Sequence, residues 1–199
     1  MTIFALGHGR KKGATYGSLL LKTGQTTSYA TGDDGDLELG VAKSYTILTA
    51  GQYALTTAIT LNGKTDNHSN NCVLDNNTGL MWSRYASASV GPNSNGTLPW
   101  TVNAGGEGIF EYCAAANAAS LGGYTDWRVP NPVEISSLLN WGAGGVDTTA
   151  FPTSFGKDVW TSGTNRLSPT QGISAYMLGP SIGTVNKTTA YTVVLVRSA

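Results

Sequence analysis

The hydrophobic period of this chain changes twice along its length, and that change limits the architectures open to it. Across residues 107–120 the apolar positions Ile109, Tyr112, Cys113, Ala116 and Ala119 fall on one helical face. The alanines favour helix, and Gly122-Gly123 stops it. A second helix is specified by Asn131-Pro132-Val133-Glu134. Asn131 can cap, Pro132 loses nothing in the first turn, and Glu134 can reach back to complete a capping box. Ile135, Leu138 and Leu139 supply its buried face, and Gly142 ends it. The pattern therefore predicts helices over 107–120 and 132–140.

On both sides the residue types become those of strands: 15–22, 45–49, 53–61, 72–74 and 80–84 before the helices, then 159–161, 175–178 and 191–196 after them. The runs 45–49 and 53–61, separated by Ala50-Gly51-Gln52, are expected to pair as a hairpin. Residues 62–71 and 86–98 read as polar surface loops. Val193-Val194-Leu195-Val196 is continuously apolar, as a fully buried strand should be. Strands, two helices and strands again predict an α+β domain. Its two helices would pack on a mainly antiparallel twisted sheet that includes a terminal strand over 190–197. Residues 1–20 form an N-terminal extension and 21–199 the ligand-binding domain.

Composition narrows the function. Charged residues make up 12% of the chain, about half of the ~25% usual for globular proteins. Gly, Ser, Thr and Asn take their place, which suits a loop-rich protein with a neutral polar skin. Twelve basic and twelve acidic residues cancel, so no global field draws the chain to nucleic acid or anionic lipid. The one basic cluster, Arg10-Lys11-Lys12, reads as a solvated tether. No run approaches the ~20 apolar residues of a membrane span, so membrane insertion is not expected. The first seven residues lack the basic n-region and apolar core of a secretory signal.

Few residues carry reaction chemistry. His8 and His68 stand in loops without a nucleophile motif, so no catalytic residue is assigned and the chain reads as a binding module, not an enzyme. No cofactor or metal is expected. The acidic string Asp33, Asp34, Asp36 and Glu38 leaves two alternatives, an Asx-bonded turn or a calcium site. Cys72 and Cys113 can form one disulfide or remain buried thiols. Arg128 and Arg197 lie in apolar strings and need partners, with Glu134, Asp126 and Asp75 as candidates. Trp82, Trp100, Trp127, Trp141 and Trp160 stand beside strand and helix signals and are expected in the core.

An ordered set of motifs carries a resemblance. It comprises Thr78-Gly79-Leu80-Met81-Trp82, Tyr112-Cys113, residues 122–130 (GGYTDWRVP), Glu134, Leu138-Leu139, Phe151-Pro152, Val159-Trp160-Thr161-Ser162, Tyr191 and Val196-Arg197. Together with upstream residues 23–29 and 32–37, it resembles a prokaryotic and viral domain family named after the C-terminal domain of a bacterial collagen-like adhesin. The resemblance implies a C-type-lectin-like fold of the variety related to formylglycine-generating enzymes, and a role in adhesion or ligand binding. Some relatives are variable targets of diversity-generating retroelements, displayed on phage tails or cell surfaces. A virion or cell-surface location and a protein or glycan receptor are implied accordingly; the oligomeric state is left open. Many members pair a cysteine in the terminal strand with one on the first helix. Here Leu195 occupies that terminal position. An oxidase of the formylglycine-generating type would need that cysteine pair, which disfavours an enzyme. The calcium signature of sugar-binding C-type lectins is missing as well.

The expected binding surface lies within 162–192, rich in Ser, Thr, Asn and Tyr, which combine adaptable hydrogen bonding with rigid anchors. Its candidate residues are Ser162, Thr164, Asn165, Arg166, Tyr176, Leu178, Pro180, Ile182, Asn186 and Tyr191. The alternative is a structural virion or surface component with ordinary loops and no ligand of its own.

Overall fold

A computed structural model describes residues 20–48, 58–67, 72–84, 96–142, 144–151 and 158–199. The chain is mixed α+β. Among the described residues the α-helices are α1 (Asp34–Leu37), α2 (Ile109–Ala118) and α3 (Pro132–Leu138). Among the strands, β1 (Tyr45–Leu48), β4 (Cys72–Asp75), β5 (Leu80–Ser83) and β11 (Val196–Ser198) form a four-stranded antiparallel sheet in the order β1-β4-β5-β11. A five-stranded sheet runs β6 (Thr97–Pro99), β10 (Ala190–Thr192), β7 (Asp158–Thr164), β8 (Gln171–Tyr176), β9 (Ser181–Asn186). Its β10–β7 pair is parallel and its other pairs are antiparallel. Strands β2 (Ala58–Leu61) and β3 (Lys64–Asn67) make a separate hairpin.

Alternation along the central strands explains how two helices are served at once. Successive strand residues point to opposite faces. Cys72, Met81 and Trp160 enter one buried cluster with Ile109, Tyr112 and Ala116 of α2. Their neighbours Val73, Trp82 and Val159 enter a second with Ile135 and Leu138 of α3. The end of the chain does the same: Val193 and Leu195 belong to the α2 cluster, Val194 and Val196 to the α3 cluster.

Both helices lie where the periodicity places them, and the capping box at Asn131 and Glu134 is complete. Such a cap contributes about 1 kcal/mol. Glu134 also accepts hydrogen bonds from Nη1 and Nη2 of Arg128, and Arg197 pairs with Asp126 at 2.7 Å while lying 3.7 Å over the Tyr124 ring. Asp75 joins neither arginine. Its Oδ1 accepts the N–H groups of Asn77 and Thr78, closing the turn between β4 and β5.

Several expectations are corrected. The terminal run over 190–197 is two strands in two sheets, because residues 193–195 cross from the five-stranded sheet to the four-stranded one. β1 pairs with β4, and the described part of the run that follows it, Ala58–Leu61, pairs with β3; residues 49–57, where the expected hairpin turns, lie outside the described residues. The hairpin falls instead at Asn62-Gly63, both with positive φ (50° and 74°), which is the geometry that lets a two-residue turn follow the strand twist. Trp141 is 48% exposed, outside the core, and Trp100 is half-buried. In the acidic string, Asp33 accepts N–H groups from Tyr29, Ala30 and Asp36, Asp36 accepts from Gly32, and Glu38 pairs with Lys22. The string is therefore the short helix α1, capped at Asp33 and held by Asx hydrogen bonds of the kind expected for a turn. Among the described residues no group of three or more His, Cys, Asp or Glu could hold a metal ion, and no helix is long and apolar enough to cross a membrane. His8, His68, the 10–12 cluster and the strand expected over 15–19 lie outside the described residues.

Cys72 and Cys113 are buried and unbridged, and Leu195 shares their cluster. Burial pushes the Cys72 thiol up to about 12 and the Cys113 thiol up to about 11, leaving little thiolate at neutral pH. Neither cysteine should react with an aromatic disulfide reagent until denaturant unfolds the chain, when both titrate together. Glu107 provides a pH test. Buried between Lys64 (2.5 Å) and Asn103, it joins the hairpin to the start of α2, and the Lys64 hydrogen bond holds its carboxyl below the usual 4.5. Its stabilising effect is therefore present above pH ~4.5 and lost as pH falls through the lower folded value. Glu107→Gln should flatten the acid limb of a stability-versus-pH curve measured by urea unfolding.

Candidate functional site

Residues 162–192, read from composition as loops, are mostly strand. The β7–β8–β9 meander is joined by turns at 165–170 and 177–180. The first turn is built by Asn165, whose Oδ1 accepts the Leu167 N–H and whose Nδ2 donates to Gln171 Oε1 at 3.0 Å. Its backbone closes through Gln171 N–H to Ser168 O. β7 carries an irregularity in register between Trp160 and Thr164. There a Cβ on Gly163 would come within 2.8 Å of Pro132, so glycine lets the strand pass close over the start of α3. At the second turn the buried Met177 acts as an anchor, leaving Tyr176 and Leu178 on either side of it exposed.

None of the ten expected site residues is buried. Thr164, Arg166, Tyr176, Leu178, Ile182 and Asn186 are exposed, and Ser162, Asn165, Pro180 and Tyr191 are partly so. Trp82, Trp127, Leu139 and Val196 lie in the core beneath, each at most 2% exposed.

The ten do not form one patch. Thr164 faces Gly172, whereas Tyr176 lies four residues further along β8, about 14 Å away at ~3.4 Å per residue. One group therefore gathers at the 165–170 turn with Asn186, and the other at the 177–180 turn. Within the second group the register pairs Ile182 with Ala175 and Ser181 with Tyr176, so Ile182 and Tyr176 point to opposite faces. Tyr191 lies against Trp160 with ring centroids 5.1 Å apart and belongs with the scaffold.

The first group has company that sequence separation concealed. Lys187 donates to Thr164 Oγ1 at 2.8 Å and its ammonium sits 3.7 Å over the Trp100 ring. Lys187 O accepts the N–H groups of Trp100 and Thr101, and Lys187 N–H donates to Thr170 O. Trp100 in turn packs edge-on against Phe110 at 4.8 Å and donates its indole N–H to Thr161 O. Next to this junction lies a cleft of about 270 Å³ lined by Pro99, Thr101, Val102, Asn103, Thr188 and Ala190. Val102 and Phe110 are 54% and 40% exposed. The available signal was the row of polar residues 186–189 (NKTT), but nothing local tied it to Trp100. A second cleft, about 260 Å³, lies elsewhere, between Lys22, Gly24, Lys43, Asn140 and Asp147.

Chemically, the first group offers hydroxyls, amides, one ammonium, one guanidinium and an apolar wall. It suits reversible recognition of a neutral or mildly acidic polar ligand. The model of the Lcl C-terminal domain family matches residues 71–197, from the start of β4 into β11. The chain belongs to the Lcl C-terminal domain family. Membership suggests an adhesin-like function at a surface. No curated protein matches the chain at a significant level. Both helices, the cleft and the whole meander lie within this Lcl C-terminal domain, whereas α1, β1 and the β2–β3 hairpin precede it.

These contacts separate exposed turn residues from load-carrying ones. Thr164→Ala and Arg166→Ala should each change unfolding free energy by under ~0.5 kcal/mol. Tyr191→Ala, which removes a ring packed on Trp160, should cost on the order of 1–3 kcal/mol. Urea unfolding of the three variants measures both.

Proposed function

We propose that this chain is a non-enzymatic adhesion module that binds a protein or glycan receptor at a cell surface. The ligand would sit at the end of the five-stranded sheet where Thr164, Asn165, Arg166, Asn186 and Lys187 border the cleft beside Val102 and Thr188. The observation that carries this is the junction of Lys187, Trp100 and the 165–170 turn beside a cleft. Three distant segments converge there, and polar side chains remain exposed above the half-buried Trp100 ring. Mutation of exposed turn positions leaves the core intact, so specificity there can change without unfolding the domain.

On the same reading the fold is C-type-lectin-like, of the variety related to formylglycine-generating enzymes, and the turn codons are targets of a diversity-generating retroelement in a phage or surface protein. The two-helix α+β arrangement and the terminal strand returning to the sheet support the fold assignment. The diversification idea is tested at the encoding locus, where a near-copy of the terminal codons differing at adenines should stand near a reverse transcriptase gene.

Binding is tested with a panel of immobilised glycans and purified surface proteins. Arg166→Ala and Val102→Asp should each weaken capture at least tenfold, while Tyr176→Ala and Leu178→Ala leave it within twofold. The opposite pattern would move the site to the 177–180 turn. Equal loss in all four would point to general damage to the surface.

A further inference from the structure

The five-stranded sheet ends on β9, and among the described residues this edge lacks the protection that other sheet ends carry. An exposed strand edge is a row of unpaired backbone donors and acceptors, normally blunted by short length, proline, charge, a bulge or a covering segment. At the opposite end of this sheet, β6 has three residues and includes Pro99. In the four-stranded sheet β1 has four residues, and Val196 of β11 exchanges both backbone hydrogen bonds with Arg128. By contrast β9 has six residues, 181–186 (SIGTVN), without a charge or a proline. It pairs with β8 in an unbroken register from Gln171–Asn186 to Tyr176–Ser181. Among the described residues no strand pairs with its outer side, and residues 181–184 are all exposed.

We infer that β9 is a self-association edge, pairing antiparallel with β9 of a second copy of this chain to continue the sheet across a two-fold axis. An antiparallel pair is the arrangement a two-fold axis generates from one strand, because the same patch then meets itself. Such a pairing sets identical residues close together, so a charged strand would repel its copy, and this strand has none. An axis normal to the sheet keeps each side chain on its own face. Only residues of the same face can then be opposite one another, so one residue, Gly183 or Thr184, lies opposite its own copy with the axis midway between the two. Either register leaves side chains on the two faces of the sheet and engages only the backbone edge. The 165–170 turn stays open in both copies, and because the two strands run in opposite directions the two turns point to opposite ends of the continued sheet. The inference does not depend on the ligand proposal.

The test uses the full chain. Sedimentation equilibrium from micromolar to millimolar concentration should show a monomer–dimer equilibrium. Gly183→Lys with Thr184→Lys places a lysine opposite its own copy in either register and should leave the protein monomeric throughout. Space around Gly183 is open, with no heavy atom within 4 Å of where a Cβ would stand, so the change should not disturb folding, which circular dichroism checks. Independently, Gly183→Cys and Thr184→Cys are each oxidised under native conditions, where both native thiols are buried. The variant on the axis should give a disulfide-linked dimer and the other much less. A wild type that stays monomeric at every concentration overturns the inference. So does a dimer that survives the double lysine change, or the absence of cross-linking in both cysteine variants. A monomer that instead takes up an unrelated extended peptide along β9 would overturn it too, and assign the edge to a different partner.

Discussion

Four consecutive apolar residues at the end of the chain hold the rest together. Val193-Val194-Leu195-Val196 leaves the five-stranded sheet after β10 and joins the four-stranded sheet as β11, with each residue at most 1% exposed. Alternation sends Val193 and Leu195 towards α2, and Val194 and Val196 towards α3. The backbone is equally engaged. Leu195 N–H donates to Ser83 Oγ at 2.9 Å, its carbonyl accepts the Ser83 N–H, and Val196 exchanges two bonds with Arg128. A buried segment with unmatched polar groups would be costly, and these backbone groups find partners. One segment thus links two sheets, two helices and, at Arg128, the residues that precede α3.

The candidate ligand end follows from that linkage. β10 is held beside β7 just before the crossing, and it brings residues 186–189 against the turn at 165–170 and against Trp100. Gly172 lies beneath, where a Cβ would come within 2.9 Å of Trp160 and 3.0 Å of Trp100, so the two indoles pack over bare backbone. The cleft is therefore a consequence of how β6 and β10 pair, with Ala190 opposite Pro99 at its floor. Rigid strands hold the ends of the segments, and the exposed positions between them remain free to differ.

Much of the scaffold was legible. Both helices, the Asn131 cap and the strands flanking the turn at 75–79 follow from local pattern, and the need to neutralise a charge in an apolar string called for partners to Arg128 and Arg197, which the structure supplies as Glu134 and Asp126 out of the three candidates. The rest was hidden for identifiable reasons. A strand such as β9, exposed everywhere but at Val185, has no apolar alternation to betray it. The split of the terminal run into two strands leaves no mark, because both halves are equally apolar where they cross. Asn62-Gly63 is a strong hairpin signal, but it is set inside a polar stretch that reads as loop. At the site, composition found the exposed residues of the meander but grouped two ends of it as one. Trp100 and Lys187 could not be paired from sequence, since their contact depends on the tertiary arrangement of β6 and β10.

If the terminal crossing couples the two cores, they must unfold as one unit. Fluorotryptophan labelling resolves Trp127 in the α2 cluster and Trp82 in the α3 cluster as separate signals, followed by fluorine NMR through a urea titration. Leu195→Ala removes volume only from the α2 cluster and should cost roughly 2–5 kcal/mol. The account predicts that both signals shift to the same lower midpoint with an unchanged slope. A midpoint that falls for Trp127 while that of Trp82 stays in place would show two independent cores and contradict it.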